Sequence, residues 1–238
     1  MGHKSFYGVS IVACTNRPQF FNNILANFKR QLYPKKELII VINKDSMDLE
    51  TYRGKAKPYR NVRVYQLPEV RTLGECLNFG VQESRFPYVA KLDDDDFYSP
   101  FYLSEQMNAI ARTGARIVGK RSYLAFLEAK SLLIMRFPGR SKRYVGHVAG
   151  GTILFAKKVF DRVRFPDVSL GEDVLFLRSC RKAGFKIYST SPYNYVGIRR
   201  KNKAIHTWQA HDNYLLAGSR IVAKTNQPKV YRKMATRR

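Results

Sequence analysis

The sequence predicts an α/β fold, a mixed and mainly parallel β-sheet flanked by helices. Two observations carry this. Between residues 8 and 113, short continuous apolar runs of strand length alternate with segments whose apolar residues recur at helical spacing. Strand–helix–strand alternation implies βαβ units and hence a parallel sheet, and right-handed crossovers then put helices on both of its faces.

Each element has a local reason. "GVSIVAC" (8–14) is β-branched and apolar, a buried strand. "TNRP" turns the chain, with Pro18 placed to open a helix in which Phe21, Ile24, Leu25, Phe28 and Leu32 share one face. "ELIIVI" (37–42) and "NVRVYQL" (61–67) read as the second and third strands. Thr72 and Glu75 have capping-box spacing, so a helix starts at Thr72 with Leu73, Cys76, Leu77 and Val81 inward. "YVAKL" (88–92) is the fourth strand, and Ser99-Pro100 opens a helix running to about Thr113. In the second half, "RSYLAFLEAKSLLIMRF" reads as two strands around a turn near 128–130. "HVAGGTILFAKKVFDRV" reads as a Gly-Gly turn, a strand and a short helix. "GEDVLFLRSCRKAGFKI" reads as a helix ended by Gly184 and followed by a strand. No linker interrupts the pattern, so one domain is expected over 1–215, with a basic C-terminal extension over 216–238.

Composition narrows the function. At 45% hydrophobic and 13% aromatic the chain is too apolar to be disordered. Its apolar runs fall far short of the roughly 20 residues of a membrane span. The N-terminal residues enter a strand pattern at once, without the layout of a signal peptide. Cys14, Cys76 and Cys180 are isolated, as reduced thiols of a cytoplasmic protein would be. A net charge of +25, concentrated at 139–143, 199–203 and the tail, attracts polyanions: substrate phosphates, an anionic polymer, or an anionic membrane surface to which the protein would be peripheral. Aromatic base-stacking motifs are absent, which argues against nucleic acid as the partner.

Ligands of open α/β sheets bind beyond the carboxyl ends of the strands, at the point where strand order reverses. The polar segments leaving such ends here are "TNR", "NKDS" and "DDDD", which gather Thr15, Asn16, Arg17, Asn43, Asp45 and Asp93–Asp96 along one edge. Four adjacent carboxylates stand out in a chain with 18 acidic and 43 basic residues. Each neighbouring pair costs about 1 kcal/mol in water, and several times that where water is restricted. An exposed acidic loop that starts the next helix is one reading. The other is a hard divalent cation held by one or two carboxylates and by substrate phosphates.

The order of motifs resembles family 2 glycosyltransferases of the GT-A fold, of the type that builds bacterial surface or spore-coat polysaccharide. "ACTNR" (13–17), "INKDS" (42–46), Asn78 and Gly80 in "LNFG", "DDDDFYSP" (93–100), the Glu172–Asp173 pair and Gly184 follow one another as in that family. The resemblance implies an inverting, metal-dependent hexosyltransferase. It would move a sugar from a UDP- or dTDP-sugar donor to a hydroxyl of a glycan, lipid-linked or wall-polymer acceptor. It implies that Thr15, Asn16 and Arg17 contact the nucleotide, and that Asn43 sits where the family usually has an Asp that reads the base. Arg71 would lie near the diphosphate, and Asp93 and Asp94 on the donor. Asp95, with Asp96 and His206, would hold Mn²⁺ or Mg²⁺. Asp173 would be the general base with Glu172 beside it, and Gly150 and Gly151 would form an acceptor loop. Helix-dipole capping is the other role open to Glu172 and Asp173, packing beside Trp208 to His206, and an ordinary tight turn to the glycines. Two other functions compete: a nucleotide- or polyanion-binding protein of the same fold, and a nucleotidyltransferase. "TNRPQFF", with no glycine, lacks the usual pyrophosphate loop of the latter.

Overall fold

The computed structural model describes residues 7–238; His3 and the first residues of the expected domain lie outside the described residues. In chain order the strands and helices are β1 (Val9–Thr15), α1 (Phe21–Arg30), β2 (Lys36–Ile42), α2 (Leu49–Ala56), β3 (Val62–Gln66), α3 (Leu73–Glu83) and β4 (Tyr88–Lys91). Then come β5 (Phe97–Tyr98), α4 (Tyr102–Thr113), β6 (Ile117–Gly119), β7 (Tyr123–Leu127), β8 (Leu132–Arg136), β9 (Arg143–Val145) and β10 (Leu154–Ala156). The chain ends with α5 (Glu172–Lys182), β11 (Ile187–Ser189), β12 (Tyr195–Arg199), α6 (Asp212–Leu216), β13 (Ser219–Lys224) and α7 (Pro228–Ala235).

An eight-stranded sheet has the order β3-β2-β1-β4-β10-β6-β11-β9. Its first four strands are parallel, and β10 runs antiparallel to both β4 and β6. In β1 and β2, Ile11, Ala13, Leu38, Ile40 and Ile42 face one apolar layer while Val12, Ile39 and Val41 face the other. The stretches 11–14 of β1 and 38–42 of β2 are therefore apolar without interruption because both faces are covered. Strand order reverses between β1 and β4, so the open crevice lies where Thr15 and Asp93 leave the sheet.

A second sheet, β13-β8-β7-β12-β5, packs its own cores around Leu124, Phe126 and Leu133 on one side and Ala125, Leu127 and Ile134 on the other. The short β5 follows the aspartates and pairs with β12. The acidic run is thus the crossing point from one sheet to the other.

Several local expectations shift. The helix after the aspartates begins at Tyr102 instead of Pro100, and 97–98 is drawn into a strand. α2 arises in a stretch whose pattern did not announce it, capped by Asp48, whose side chain accepts from Thr51 N–H at 2.7 Å. Leu32 is exposed, since α1 ends at Arg30. Among the cysteines, Cys76 and Cys180 are buried, Cys14 is half-buried, and all are free.

The largest difference is at the C-terminus. The segment expected as a basic extension over 216–238 supplies β13, paired antiparallel with β8, and α7. α7 is amphipathic: Tyr231 and Ala235 are buried, with the Tyr231 ring stacked on Phe126 at 4.6 Å between centroids. Asn194 N–H donates to Ala235 C=O at 2.7 Å. The many cations concealed this apolar stripe from composition. Tyr231→Ala is therefore expected to lower the unfolding free energy by roughly 3 kcal/mol, with Lys229→Ala neutral. Denaturant curves that superimpose for the parent and Tyr231→Ala would show that α7 contributes nothing to the fold.

Candidate active site at the end of the fourth strand

Each of the four adjacent aspartates has a different partner. Asp94 is buried and held by Arg17, whose Nε donates to Oδ2 at 3.1 Å and whose Nη2 donates to Oδ1; Thr15 Oγ1 donates to Oδ2 at 2.6 Å. Burial raises the Asp94 carboxyl to about 6, against the opposing pull of Arg17. Asp95 Oδ2 lies 3.2 Å from Arg17 Nη1 and 3.2 Å from His206 Nδ1. Burial disfavours its charge, but the His206 hydrogen bond and Arg17 outweigh it and hold Asp95 below the ordinary carboxylate range. Asp96 points away, into the junction between sheets. It accepts from Tyr195 O–H at 2.5 Å and Ile198 N–H at 2.8 Å, and burial drives its carboxyl well above the usual range. Asp93 Oδ1 pairs with Lys91 Nζ at 2.5 Å.

The turn itself is carried by α1. Asn23 Nδ2 donates to the carbonyls of Asp94 at 2.7 Å and Asp96 at 2.9 Å, and Asn27 Nδ2 donates to Asp96 C=O at 2.9 Å. These asparagines are among the inner residues of an amphipathic helix, and only their polar character on that face could have marked them in the sequence.

Two corrections follow. Asp96 is not available to a metal, since both oxygens serve β12. The repulsion within the run is already eased without a bound cation, because Arg17 is shared by Asp94 and Asp95 and Lys91 pairs with Asp93.

Opposite the run, Gly171 (φ 81°) turns the chain into α5, whose first residues are Glu172 and Asp173. Glu172 is buried, with Oε1 3.8 Å from Lys91 Nζ. Burial raises its pKa, opposed by Lys91. Lys91 is itself buried, which disfavours its charge, but Asp93 and Glu172 more than restore it. This buried lysine is a member of the site that strand patterning alone would have assigned to the sheet. Asp173 is half-exposed, and its Oδ1 accepts from Val174 N–H at 2.8 Å.

Gly150 and Gly151 complete the wall. A Cβ on Gly150 would lie 2.1 Å from Asp173 Oδ2, and one on Gly151 would lie 2.6 Å from Asp93 Oδ2. A side chain at either position would have to push the carboxylate aside. Their backbone borders both carboxylates, and Tyr98 O–H fastens it by donating to Gly151 C=O at 2.6 Å.

Thr15, Arg17, Asp93–Asp95, Gly150, Gly151, Glu172, Asp173 and His206 therefore meet around one strand end, and Asp96 does not join them. Asn16 is exposed beside them. Asn43, at the end of β2, spends its amide hydrogen on Pro68 C=O at 2.7 Å and keeps its oxygen. Arg71 is exposed and pairs with Glu75 at 2.5 Å, at the rim and outside the cluster. His206 is buried; its Nε2 accepts from Arg200 N–H at 2.9 Å, which leaves Nδ1 facing Asp95. Among the described residues no group of three or more His, Cys, Asp or Glu side chains is arranged to hold a metal by itself, and no helix is long and apolar enough to cross a membrane.

This geometry can be set against known proteins. The sequence profile of glycosyl transferase family 2 matches residues 10–155, more than half of the chain. A poly-β-1,6-N-acetyl-D-glucosamine synthase of Staphylococcus epidermidis is 26% identical over 181 residues, covering 71% of this chain and 44% of that protein. One from Staphylococcus aureus (strain COL) is 26% identical over 190 residues, covering 74% and 46%. The chain thus spans less than half the length of these relatives. In fold it is similar to S. aureus TarS 1–349 in complex with UDP-GlcNAc (TM-score 0.61, 17% identity, 82% of this chain and 59% of that one). It is also similar to the mannosyltransferase PcManGT from Pyrobaculum calidifontis in complex with GDP-Man and Mn²⁺ (TM-score 0.64, 18% identity, 84% and 59%). With a GT-A fold and a profile match that spans β1 to β10, the chain belongs to glycosyl transferase family 2.

Proposed function

We propose that the protein is an inverting, metal-dependent glycosyltransferase that moves a sugar from a nucleoside-diphosphate donor to a hydroxyl of a polysaccharide acceptor. The observation that carries this is the division of one strand end into two halves. Asp95 and His206 lie on one side, and Asp93, Lys91, Glu172 and Asp173 on the other, with Gly150 and Gly151 against the second set.

The Asp95–His206 pair fits Mn²⁺ or Mg²⁺. A carboxylate oxygen and an imidazole nitrogen face each other at 3.2 Å, and such ions take one or two protein ligands and complete their shell with substrate phosphates and water. When bound, the ion would supply positive charge to the departing diphosphate. Arg17, half-exposed and anchored on Asp94, adds a fixed cation at the same edge. Thr15 sets the Arg17 loop, since its Oγ1 accepts from Arg17 N–H at 3.1 Å. Asn43 offers a carbonyl oxygen to a base N–H.

On the other half, Asp173 is the exposed member of the acid pair and is the group we assign as general base. Its carboxylate takes the proton of the acceptor hydroxyl as that oxygen bonds to the anomeric carbon. The bond from that carbon to the phosphate oxygen breaks, and the nucleoside diphosphate leaves with the electron pair. Attack opposite the leaving group inverts the carbon. Glu172, held by Lys91, orients the acceptor, and Asp93 holds the donor sugar beside the Lys91 cation. The names of the two staphylococcal relatives and the UDP-GlcNAc bound to TarS make a UDP-sugar donor and a glycan acceptor the first pair to test.

UDP or dTDP should raise the melting temperature only with Mn²⁺ or Mg²⁺ present, by the equivalent of about 2.7 kcal/mol at a hundred times the dissociation constant. Asp95→Asn should abolish the shift while Asp96→Asn retains it; a shift indifferent to EDTA, or lost equally in both variants, counts against the metal assignment. Asp173→Asn should keep nucleotide binding and lower sugar transfer about 10²–10⁴-fold, measured by product analysis, and unchanged turnover would remove Asp173 from the base role. Gly150→Ala should likewise depress turnover with nucleotide binding intact, since its methyl group displaces the Asp173 carboxylate; full turnover would show that the close approach is dispensable.

A further inference from the structure

The glycine loop does not end at the carboxylates. Traced backwards from Gly151 against Asp93 and Gly150 against Asp173, it passes His147 and reaches Gly146 at the end of β9. There a pocket of 370 Å³ is lined by Arg121, Arg140, Arg143, Tyr144, Val145 and Gly146. A fourth arginine, Arg181 of α5, borders it: its Nη1 is 3.1 Å from where a Cβ on Gly146 would stand.

Four guanidinium groups at one pocket repel one another. Among the described residues none of the four is paired with a carboxylate. The fold nonetheless fixes two of them in place. The Arg121 guanidinium carbon stands over the Phe137 ring, 3.8 Å from its centroid, with Arg136 over the same ring. Arg140 rides on the β8–β9 loop, where Phe137 (φ 46°), Gly139 (φ 81°) and Lys142 (φ 55°) all adopt left-handed backbone. Such conformations persist where the surroundings enforce them. Ser122 does so here, donating to Phe137 C=O at 2.6 Å and accepting from Arg140 N–H at 2.9 Å.

The pocket is close to the reacting centre by two independent routes. Gly146 and Gly150 are four residues apart, at most about 14 Å of chain. Arg181 follows Asp173 by eight residues of one helix, about 12 Å. His147 lies on the loop between Gly146 and Gly150, and burial first, then Arg121 against the pull of Asp173, lowers its pKa. The donor diphosphate belongs to the Asp95 half, so an anion in this pocket comes with the acceptor. A carboxylate is satisfied by one planar guanidinium fork, whereas a phosphate presents separate oxygens to several.

We infer that Arg121, Arg140, Arg143 and Arg181 form an acceptor subsite for a phosphate group carried on the acceptor chain within roughly 14 Å of the hydroxyl that receives the sugar. The inference rests on the transferase reading for its word "acceptor" and on the pocket alone for its phosphate.

The test is calorimetric titration of the full chain, without nucleotide, with an oligomer of glycerol phosphate. Comparison ligands are a neutral N-acetylglucosamine oligomer and a galacturonate oligomer of equal charge. A polyprenyl-phosphate disaccharide in neutral micelles forms a second arm, which tells a lipid phosphate from a chain phosphodiester; binding in either arm supports the subsite. The phosphate oligomer should bind more tightly than both comparison oligomers, and less so as salt rises. Arg140→Ala and Arg143→Ala should each weaken it about tenfold, and Arg140→Lys/Arg143→Lys should restore part of the loss. Equal binding of the galacturonate or neutral oligomer, or alanine variants that bind like the parent, overturns the assignment. The metal-dependent nucleotide shift, measured on the same preparations, is expected unchanged in the arginine variants. If the shift is absent from the parent while phosphate binding persists, the transferase reading falls and the anion site stands.

Discussion

The ion pair between Asp94 and Arg17 holds the crevice together. Arg17 leaves the end of β1 and Asp94 leaves the end of β4, the two strands between which the order of the sheet reverses. The carboxylate is buried, the guanidinium only half so. Thr15 donates to the same carboxylate, and Arg17 Nη1 reaches Ile205 C=O at 2.5 Å, in the segment that carries His206. One buried charge thus ties together two strand ends and a loop distant in sequence. Removing Arg17 costs roughly 3–5 kcal/mol, because the buried Asp94 carboxylate is left without its cation. The geometry of everything around it depends on that contact.

A second set of buried charges is built on the same logic. Lys91 is the last residue of β4 and lies between Asp93 and Glu172. Its ammonium group is stable in the interior only because both carboxylates flank it, and they in turn sit close together only because it is there. Asp173 follows Glu172 but is half-exposed, so the pair splits into one carboxyl held beside Lys91 and one at the surface of the crevice. Gly150 and Gly151 let a backbone lie where any side chain would collide with these acids. Asp96 serves neither set. It joins the first sheet to the second through Tyr195 and Ile198.

Around this centre the basic surface is not uniform. Most cations are scattered and solvated, but the arginines near Gly146 converge on a cavity at the far end of the glycine loop, while Arg17 and Lys91 are consumed by the aspartates. The 43 basic residues therefore differ in role: Arg17 and Lys91 stabilise the acidic turn from within, others pair with acids elsewhere, and the arginines near Gly146 have no carboxylate partner among the described residues.

Much of this could be read from the chain alone. The uninterrupted apolar runs of β1 and β2 identified strands covered on both faces, and the Thr72–Glu75 spacing set the start of a helix whose capping box is present. The order of polar segments at strand ends named the edge where the site lies. Those features depend on neighbours a few residues away, so periodicity and capping chemistry determine them. The α7 stripe escaped notice because its apolar residues are spaced among cations and mean little without the Phe126 ring they cover. The fates of Asp93 to Asp96 escaped for a stronger reason. Four identical side chains in succession carry no local distinction, and what separates them is Lys91 for one, Arg17 for the next, His206 for the third, and Tyr195 with Ile198 for the last. All of those partners except Lys91 lie some 77 to 111 residues away. Local sequence determined that acids would stand at a strand end in a family 2 glycosyltransferase. The long-range packing that brings those partners together decided which of them stand at the open crevice and which join the two sheets.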